Sequence, residues 1–409
     1  MPAEPASLAT LETPDAGAAA LPLRWLARSL ARIEQGHLTL IDPAGRRVTL
    51  EARNPGTEAV LRFRRPWRAL VRVLRRGEIG FAEGYIAGDW TTPDLQGLLQ
   101  FSMDNEASLT RLADRPAWQR RLDRVRHRLR RNSRRGSRAN IRFHYDLGND
   151  FYRHWLDPTM SYSSALFSKG DEALETAQQR KYLRLLERLE AREGAHILEI
   201  GCGWGGFAET AARQGYRVTG ITLSEEQLAY ARDRIERAGL SDRVELRLQD
   251  YRDLDQQFDH VVSIEMFEAV GEEWWPTYFS KVSQCLRPGG RAALQVITID
   301  EKAFAHYRDN PDFIQLYVFP GGMLPPAPRF HEVAAAAGLQ CREQAFFGED
   351  YAITLRRWFE EVRRSAGIIE ALGYSESFLR MWRYYLAYCE IGFRSGRVDL
   401  MQTVLERPT

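Results

Sequence analysis

His196-Ile197-Leu198-Glu199-Ile200-Gly201-Cys202-Gly203-Trp204-Gly205-Gly206 decides the fold of this 409-residue chain. The first five residues are a short apolar run holding one carboxylate, which predicts a buried strand. Four glycines then break the strand into a turn, and residues 207–213 resume at helical spacing. Stripped of Cβ atoms, such a turn bends sharply and lets the backbone come close to a bound nucleotide.

Outward from this turn, strand candidates recur at residues 217–221, 244–248, 260–264 and 291–297, with helices between them, notably 225–238. That alternation predicts an α/β architecture, a doubly wound and mostly parallel sheet with right-handed crossovers. Ligands of such sheets bind at the carboxyl ends of the strands. Residues 199–206, 222–227, 249–251 and 265–271 all fall there. The spacing Gly201, Gly203, Gly206 satisfies the dinucleotide pattern, but that pattern also wants an acid ending the next strand. None occurs in residues 216–224. Glu199, placed before the glycines, instead resembles motif I of the class I S-adenosylmethionine-dependent methyltransferases, which implies a Rossmann-like fold.

Composition sets outer bounds. Hydrophobic residues make up 44% of the chain, enough for a full core, and no apolar run reaches the ~18 residues of a membrane span. The Ala/Pro-rich residues 1–20 read as a disordered leader rather than a signal peptide, which predicts a cytoplasmic protein. Four scattered cysteines suggest neither a zinc site nor a disulfide framework. Net charge is only +2, yet eleven arginines fall between Arg115 and Arg138 against one acid, Asp123. The expected organisation is a leader (1–20), a smaller N-terminal α+β domain (21–112), a basic linker (113–139) and the methyltransferase domain with a helical closing segment (140–409). Within the N-terminal domain, residues 38–45 and 47–50 read as strands around a turn. Residues 67–74 read as a helix and 77–85 as a glycine-punctuated connection.

Further segments carry a more specific resemblance. Asn140-Ile141-Arg142-Phe143-His144-Tyr145-Asp146-Leu147-Gly148-Asn149-Asp150-Phe151-Tyr152 precedes Leu156-Asp157-Pro158-Thr159-Met160-Ser161-Tyr162-Ser163-Ser164-Ala165. With the glycine turn, Gln249-Asp250-Tyr251-Arg252-Asp253 and Met266-Phe267-Glu268, these resemble the cyclopropane fatty acid synthase family over about residues 140–400. The N-terminal unit resembles the extra domain of the phospholipid-acting members.

The resemblance implies methylene transfer from S-adenosylmethionine to the double bond of an unsaturated phospholipid acyl chain. An alkene is a weak nucleophile, so a dry, pre-aligned site is required. By resemblance, Tyr162 and Ser163 lie over the cofactor. Gly201, Gly203 and Gly205, after Glu199, cradle its methionine end, Thr222 and Gln227 hold the ribose, and Gln249, Asp250 and Tyr251 face the adenine. The family also implies a bound bicarbonate as general base, held here by Ser164, Glu268, Gln295, Ile297 and Tyr351. Glu265 competes with Glu268 for its role. Ser164 stands where cysteine is typical, and Gln295 and Ala269 where histidines are. Gln295 donates a hydrogen bond but carries no proton, so deprotonating the product cation at another position, to a methylene- or methyl-branched chain, is the alternative outcome.

Tyr152, Tyr162, Phe267, Trp274 and Tyr351 are candidate aromatic faces for that cation, at ~0.5–2 kcal/mol each, whereas Trp275 and Tyr278 read as core. The basic linker reads as a contact with anionic phospholipid, at ~1 kcal/mol per arginine, rather than with nucleic acid. Peripheral association with the inner membrane surface follows from that contact, and the family resemblance suggests a homodimer. A small-molecule amine methyltransferase and a non-catalytic lipid-binding protein are the competing classes.

Overall fold

A helix, Leu21–Ser29, opens the described part of the first unit, and a run of alternating buried residues follows it. The computed structural model describes residues 21–30, 32–113, 121 and 147–409. The leader, residues 140–146 of the family motif and the basic linker apart from Ala113 and Arg121 lie outside the described residues. Strands β1 (Gln35–Ile41) and β2 (Arg47–Glu51) pair antiparallel. The Asp42 carboxylate closes their turn by accepting hydrogen bonds from the backbone of Ala44 and Arg46, 2.9 Å each. Two strands not read from the sequence complete this sheet: β3 (Asn54–Phe63), parallel to β1, and β4 (Trp90–Thr91), giving the order β2-β1-β3-β4.

The connection expected at residues 77–85 is helix instead. A single stretch, Pro66–Ile86, runs through it with a kink at Gly77 (φ 56°, ψ −132°). A Cβ on Gly80 would meet the Arg72 carbonyl oxygen at 2.0 Å. These glycines let the two helical pieces press together across the kink, and the sequence reading mistook close packing for a turn.

The second sheet has seven strands in the order β10-β11-β9-β8-β5-β6-β7. They are β5 (His196–Ile200), β6 (Arg217–Thr222), β7 (Val244–Leu248), β8 (Phe258–Ile264), β9 (Leu286–Ile299), β10 (Gln340–Phe346) and β11 (Val398–Glu406). β7, β6, β5, β8 and β9 are mutually parallel, and β11 pairs antiparallel with both β9 and β10. The fold is therefore the expected α/β type. The closing segment after Gly348, expected to be helical, also contains β11. Six consecutive residues of this strand are buried, so it lacks the period-two signature of a half-exposed strand.

Chain order reverses between β5 and β8, which creates the switch-point crevice where such sheets bind ligands. β9 overshoots its neighbour: Gln295 lies opposite Ile264, the last residue of β8, and Ile297 lies beyond it. Apolar cores cover both faces, one around Phe267, Trp275, Tyr278, Phe279 and Phe330, the other around Leu186, Ile197, Phe207 and Ala211. Contacts divide the chain into two compact units: Met1–Asp123 with Glu370–Ile391, and Arg124–Ile369 with Gly392–Thr409. Residues 370–391, assigned from sequence to the methyltransferase domain, thus group with the first unit.

Candidate active site

Glu199, next to last in β5, is buried, and the turn after the strand is held by β6. The amides of Gly201 and Cys202 both donate to the Ile221 carbonyl at 2.9 Å. Gly201, Gly203 and Gly205 all have positive φ, at 86°, 51° and 82°, a region costly for residues with a Cβ. Space is unequal around them. A Cβ on Gly201 would press on Met266 at 3.0 Å, whereas one on Gly203 would meet nothing within 4 Å. Gly203 therefore borders open space at the carboxyl end of the sheet. Among the described residues the buried Glu199 Oε2 has no hydrogen-bond partner, and burial pushes this carboxyl up to about 8 against the nearby charges of Lys181 and Arg234.

At the end of β6, Ser224 caps the helix Glu225–Arg237 by accepting from the Gln227 amide. Thr222 Oγ1 donates to Gln227 Oε1 at 3.1 Å. Gln249 follows β7, its amide bonded to the Thr222 carbonyl at 3.1 Å. Asp250 is buried and bound by Arg252 at 2.6 and 2.8 Å. Tyr251 packs edge-on against Tyr278, ring centroids 5.5 Å apart. Thus Glu199, the glycines, Thr222, Gln227, Gln249, Asp250 and Tyr251 line the ends of three adjacent strands.

The loop at residues 161–164 is fixed from below by two side chains missed in the sequence. Lys181 is fully buried and donates to Ser163 Oγ and Gln178 Oε1, while Gln178 Nε2 donates to the Ser163 carbonyl at 2.8 Å. Burial lowers the Lys181 amine to about 8, opposed by the charges of Glu265, Asp157 and Glu199. Their signal was a lysine and a glutamine three residues apart on the otherwise apolar face of the helix Leu174–Leu189. Tyr162 sits among rings, 5.6 Å from Tyr152, 5.4 Å from Trp155 and 5.3 Å from Trp358. Tyr351 joins the same group through Trp358 at 6.2 Å. Phe267 does not: it packs in the core against Trp275 and Phe330.

Directly after β8, Glu265 adopts φ 50° and turns its carboxyl inward. Oε1 accepts from the Ser164 amide at 2.8 Å and from Gln295 Nε2 at 2.7 Å, and Oε2 accepts from the Tyr351 hydroxyl at 2.5 Å. Gln402, opposite Gln295 on β11, donates to Gln295 Oε1 at 2.8 Å and accepts from Arg184 at 2.9 Å. That chain fixes the Gln295 amide so that its NH₂ faces Glu265. Glu268 lies one helical turn on. Its Oε1 accepts from the Ile297 amide at 2.5 Å, and its buried Oε2 has no partner among the described residues. Burial, with the charge of Glu265, pushes Glu268 up to about 8. Burial also raises Glu265, against Lys181 and its three donors. The five residues expected to hold bicarbonate are thus together, but Ser164, Gln295 and Tyr351 donate to Glu265 and Ile297 to Glu268. A separate anion does not fit this donor set.

Residues 132–403 match the family model described as mycolic acid cyclopropane synthetase. The chain is 40% identical to a tuberculostearic acid methyltransferase of Mycobacterium tuberculosis, over 84% of this chain and 82% of that one. It is 37% identical to the cyclopropane-fatty-acyl-phospholipid synthase of Escherichia coli, over 82% and 85%. A crystal structure of a mycolic acid cyclopropane synthase complexed with SAH and CTAB superposes with a TM-score of 0.62, at 32% identity, over 66% of this chain and 98% of that one.

Proposed function

The chain belongs to the mycolic acid cyclopropane synthetase family of S-adenosylmethionine-dependent methyltransferases, and on that premise we propose that it modifies the double bond of an unsaturated acyl chain in membrane phospholipid. The observation that carries this reading is an adjacency. Met266 packs on Gly201 of the cofactor turn, and its neighbours Glu265 and Glu268 present buried carboxyls amid aromatic rings.

The residues present suit the cofactor: three left-handed glycines, open space at Gly203, and an orphaned carboxylate oxygen on Glu199. When bound, S-adenosylmethionine supplies an electrophilic methyl on sulfur. Gly201, Gly203 and Gly205 would hold its methionine end, Thr222 and Gln227 its ribose, and Gln249, Asp250 and Tyr251 its adenine. Tyr162 and Ser163, pinned by Lys181, would close over it. The faces of Tyr162 and Tyr351 would steady a positive charge developing on the former alkene carbon, at ~0.5–2 kcal/mol each. Burial beside Glu265 favours the protonated form of Glu268, so that it closes the pocket with little added negative charge. No step is routed through bicarbonate, because its expected donors are engaged.

A cyclopropane is the leading product. A methylene- or methyl-branched chain is the second reading, favoured by Gln295 and Glu265 and by the relative named as a tuberculostearic acid methyltransferase. Membrane contact has its own support in the first unit, taken by itself. Trp67, Val71 and Leu74 are 59%, 42% and 48% exposed along one face of the helix Pro66–Ile86, beside the exposed Arg64, Arg68 and Arg75. Among the described residues no helix is long and apolar enough to cross a membrane, so this face would serve for peripheral association. The arginine-rich linker would add to it.

The test is methyl transfer from labelled S-adenosylmethionine to vesicles of unsaturated phosphatidylglycerol, against saturated vesicles and soluble amines. Label in unsaturated lipid alone is the expected result, and chromatography of the released fatty acids separates ring from branch. Label on amines alone would overturn the reading.

A further inference from the structure

We infer that Glu265 is the resident base of the reaction, a carboxylate built into the chain where the family resemblance calls for a dissociable bicarbonate. The inference rests on the lipid-alkene reading above and deepens it. A bound bicarbonate presents a planar O–C–O group to amide, hydroxyl and backbone donors. Glu265 presents the same group to the same donors: the Ser164 amide, the Gln295 NH₂ and the Tyr351 hydroxyl, at 2.8, 2.7 and 2.5 Å. Gln295 Nε2 also lies 3.3 Å from the Ser164 carbonyl, a longer contact than its bond to Glu265.

Two features indicate a designed placement. Glu265 holds a left-handed backbone at φ 50°, a conformation that costs a residue with a Cβ and recurs at functional positions. The relay from Arg184 through Gln402 forces Gln295 to present its donor, not its acceptor, to the carboxylate. A histidine in place of Gln295 offers a proton to an exchangeable ion. A glutamine locked as donor suits a fixed anion.

The chemistry balances with no further reagent. The alkene π pair forms the bond to the incoming methyl carbon, and the carbon–sulfur pair leaves with sulfur. The substrate cation then loses one proton, whose C–H electrons close the ring or the new double bond. Glu265 Oε2, which among the described residues accepts the Tyr351 hydrogen bond alone, has a lone pair to take that proton, and releases it to water when product leaves.

The experiment compares the full-length protein with Glu265→Gly, which the left-handed backbone tolerates, in buffer stripped of carbon dioxide and in buffer with bicarbonate. Wild-type methyl transfer is expected to agree within about twofold between the two buffers, and Glu265→Gly to lose about 100-fold in stripped buffer and recover about tenfold with bicarbonate or formate. Binding of ¹³C-bicarbonate, followed by NMR, gives a readout that needs no lipid: no bound ion in the wild type, one per chain in Glu265→Gly. A wild-type rate rising about tenfold with bicarbonate, or an ion bound to the wild type, would overturn the inference. Should the wild type methylate no lipid, the substrate reading fails while the NMR result still decides the role of Glu265.

Discussion

The cofactor turn and the acid pocket adjoin at Gly201 and Met266, yet they are built in opposite ways. The turn is a property of backbone conformation, compressed into consecutive residues whose glycines are needed for their φ angles and for room beside Gly203. The pocket is a property of side chains, gathered from a loop at Ser164, the end of β8, β9, β11 and the helix Gly348–Arg364. Backbone sites leave a local signature, whereas side-chain sites appear only when distant segments meet. The two regions should therefore fail differently.

Altering the turn should remove cofactor binding and leave the fold. For Gly203→Val, calorimetry should show affinity for S-adenosylmethionine falling ~1,000-fold, about 4 kcal/mol. The melting temperature should drop only by the few degrees that ~1–2 kcal/mol of left-handed strain produces. Unchanged affinity would break the assignment of the turn.

In the pocket, single changes should spare the cofactor and slow the chemistry. Tyr351→Phe removes one donor to the Glu265 carboxylate, a bond to a charged group worth about 1.5–3 kcal/mol. Steady-state kinetics should show kcat falling ~30-fold, with the cofactor KM unmoved. A KM effect without a kcat effect would place Tyr351 at the cofactor instead.

Stability should report the buried acid. Glu268 is raised to about 8 from the unfolded carboxyl value, so the folded state holds its proton more tightly. The resulting stabilisation is complete below the unfolded pKa and is lost as pH rises through about 8. Glu268→Gln lacks that loss. From pH 6 to 9 the variant should gain about 3 kcal/mol relative to the wild type in denaturant titrations. Parallel stability curves would show that Glu268 is ionised throughout.

The smallest effect belongs to the relay. Gln402→Leu frees the Gln295 amide to turn over, at about 1 kcal/mol, and should lower kcat ~5-fold. Gln402→Glu, which still accepts from Arg184 but cannot donate to Gln295, should not restore it. Wild-type turnover in both variants would reduce the relay to packing.

The same contrast explains what was legible. The parallel strands β5 to β9 announce themselves as short apolar runs after glycine or before acid, and the ligand-end motifs fall where such sheets bind ligands. β11 escaped because a fully buried strand looks like any apolar segment, and the helix at residues 77–85 escaped because its glycines serve packing at Arg72. In the pocket, resemblance pointed to Ser164, Gln295, Ile297 and Tyr351. It did not show that the glutamate three residues before Glu268 would take three of their hydrogen bonds. Lys181, Gln178, Gln402 and Arg184 carry no motif at all, and only their packing reveals them.

One measurement probes the shared site most directly: a crystal structure with S-adenosylhomocysteine and an unsaturated phospholipid, grown in bicarbonate buffer. The account predicts sulfur against Gly201–Gly205, the acyl double bond between it and Glu265, and the Glu265 carboxylate still on Ser164, Gln295 and Tyr351. A separate planar ion on those three donors, with Glu265 turned away, would contradict it.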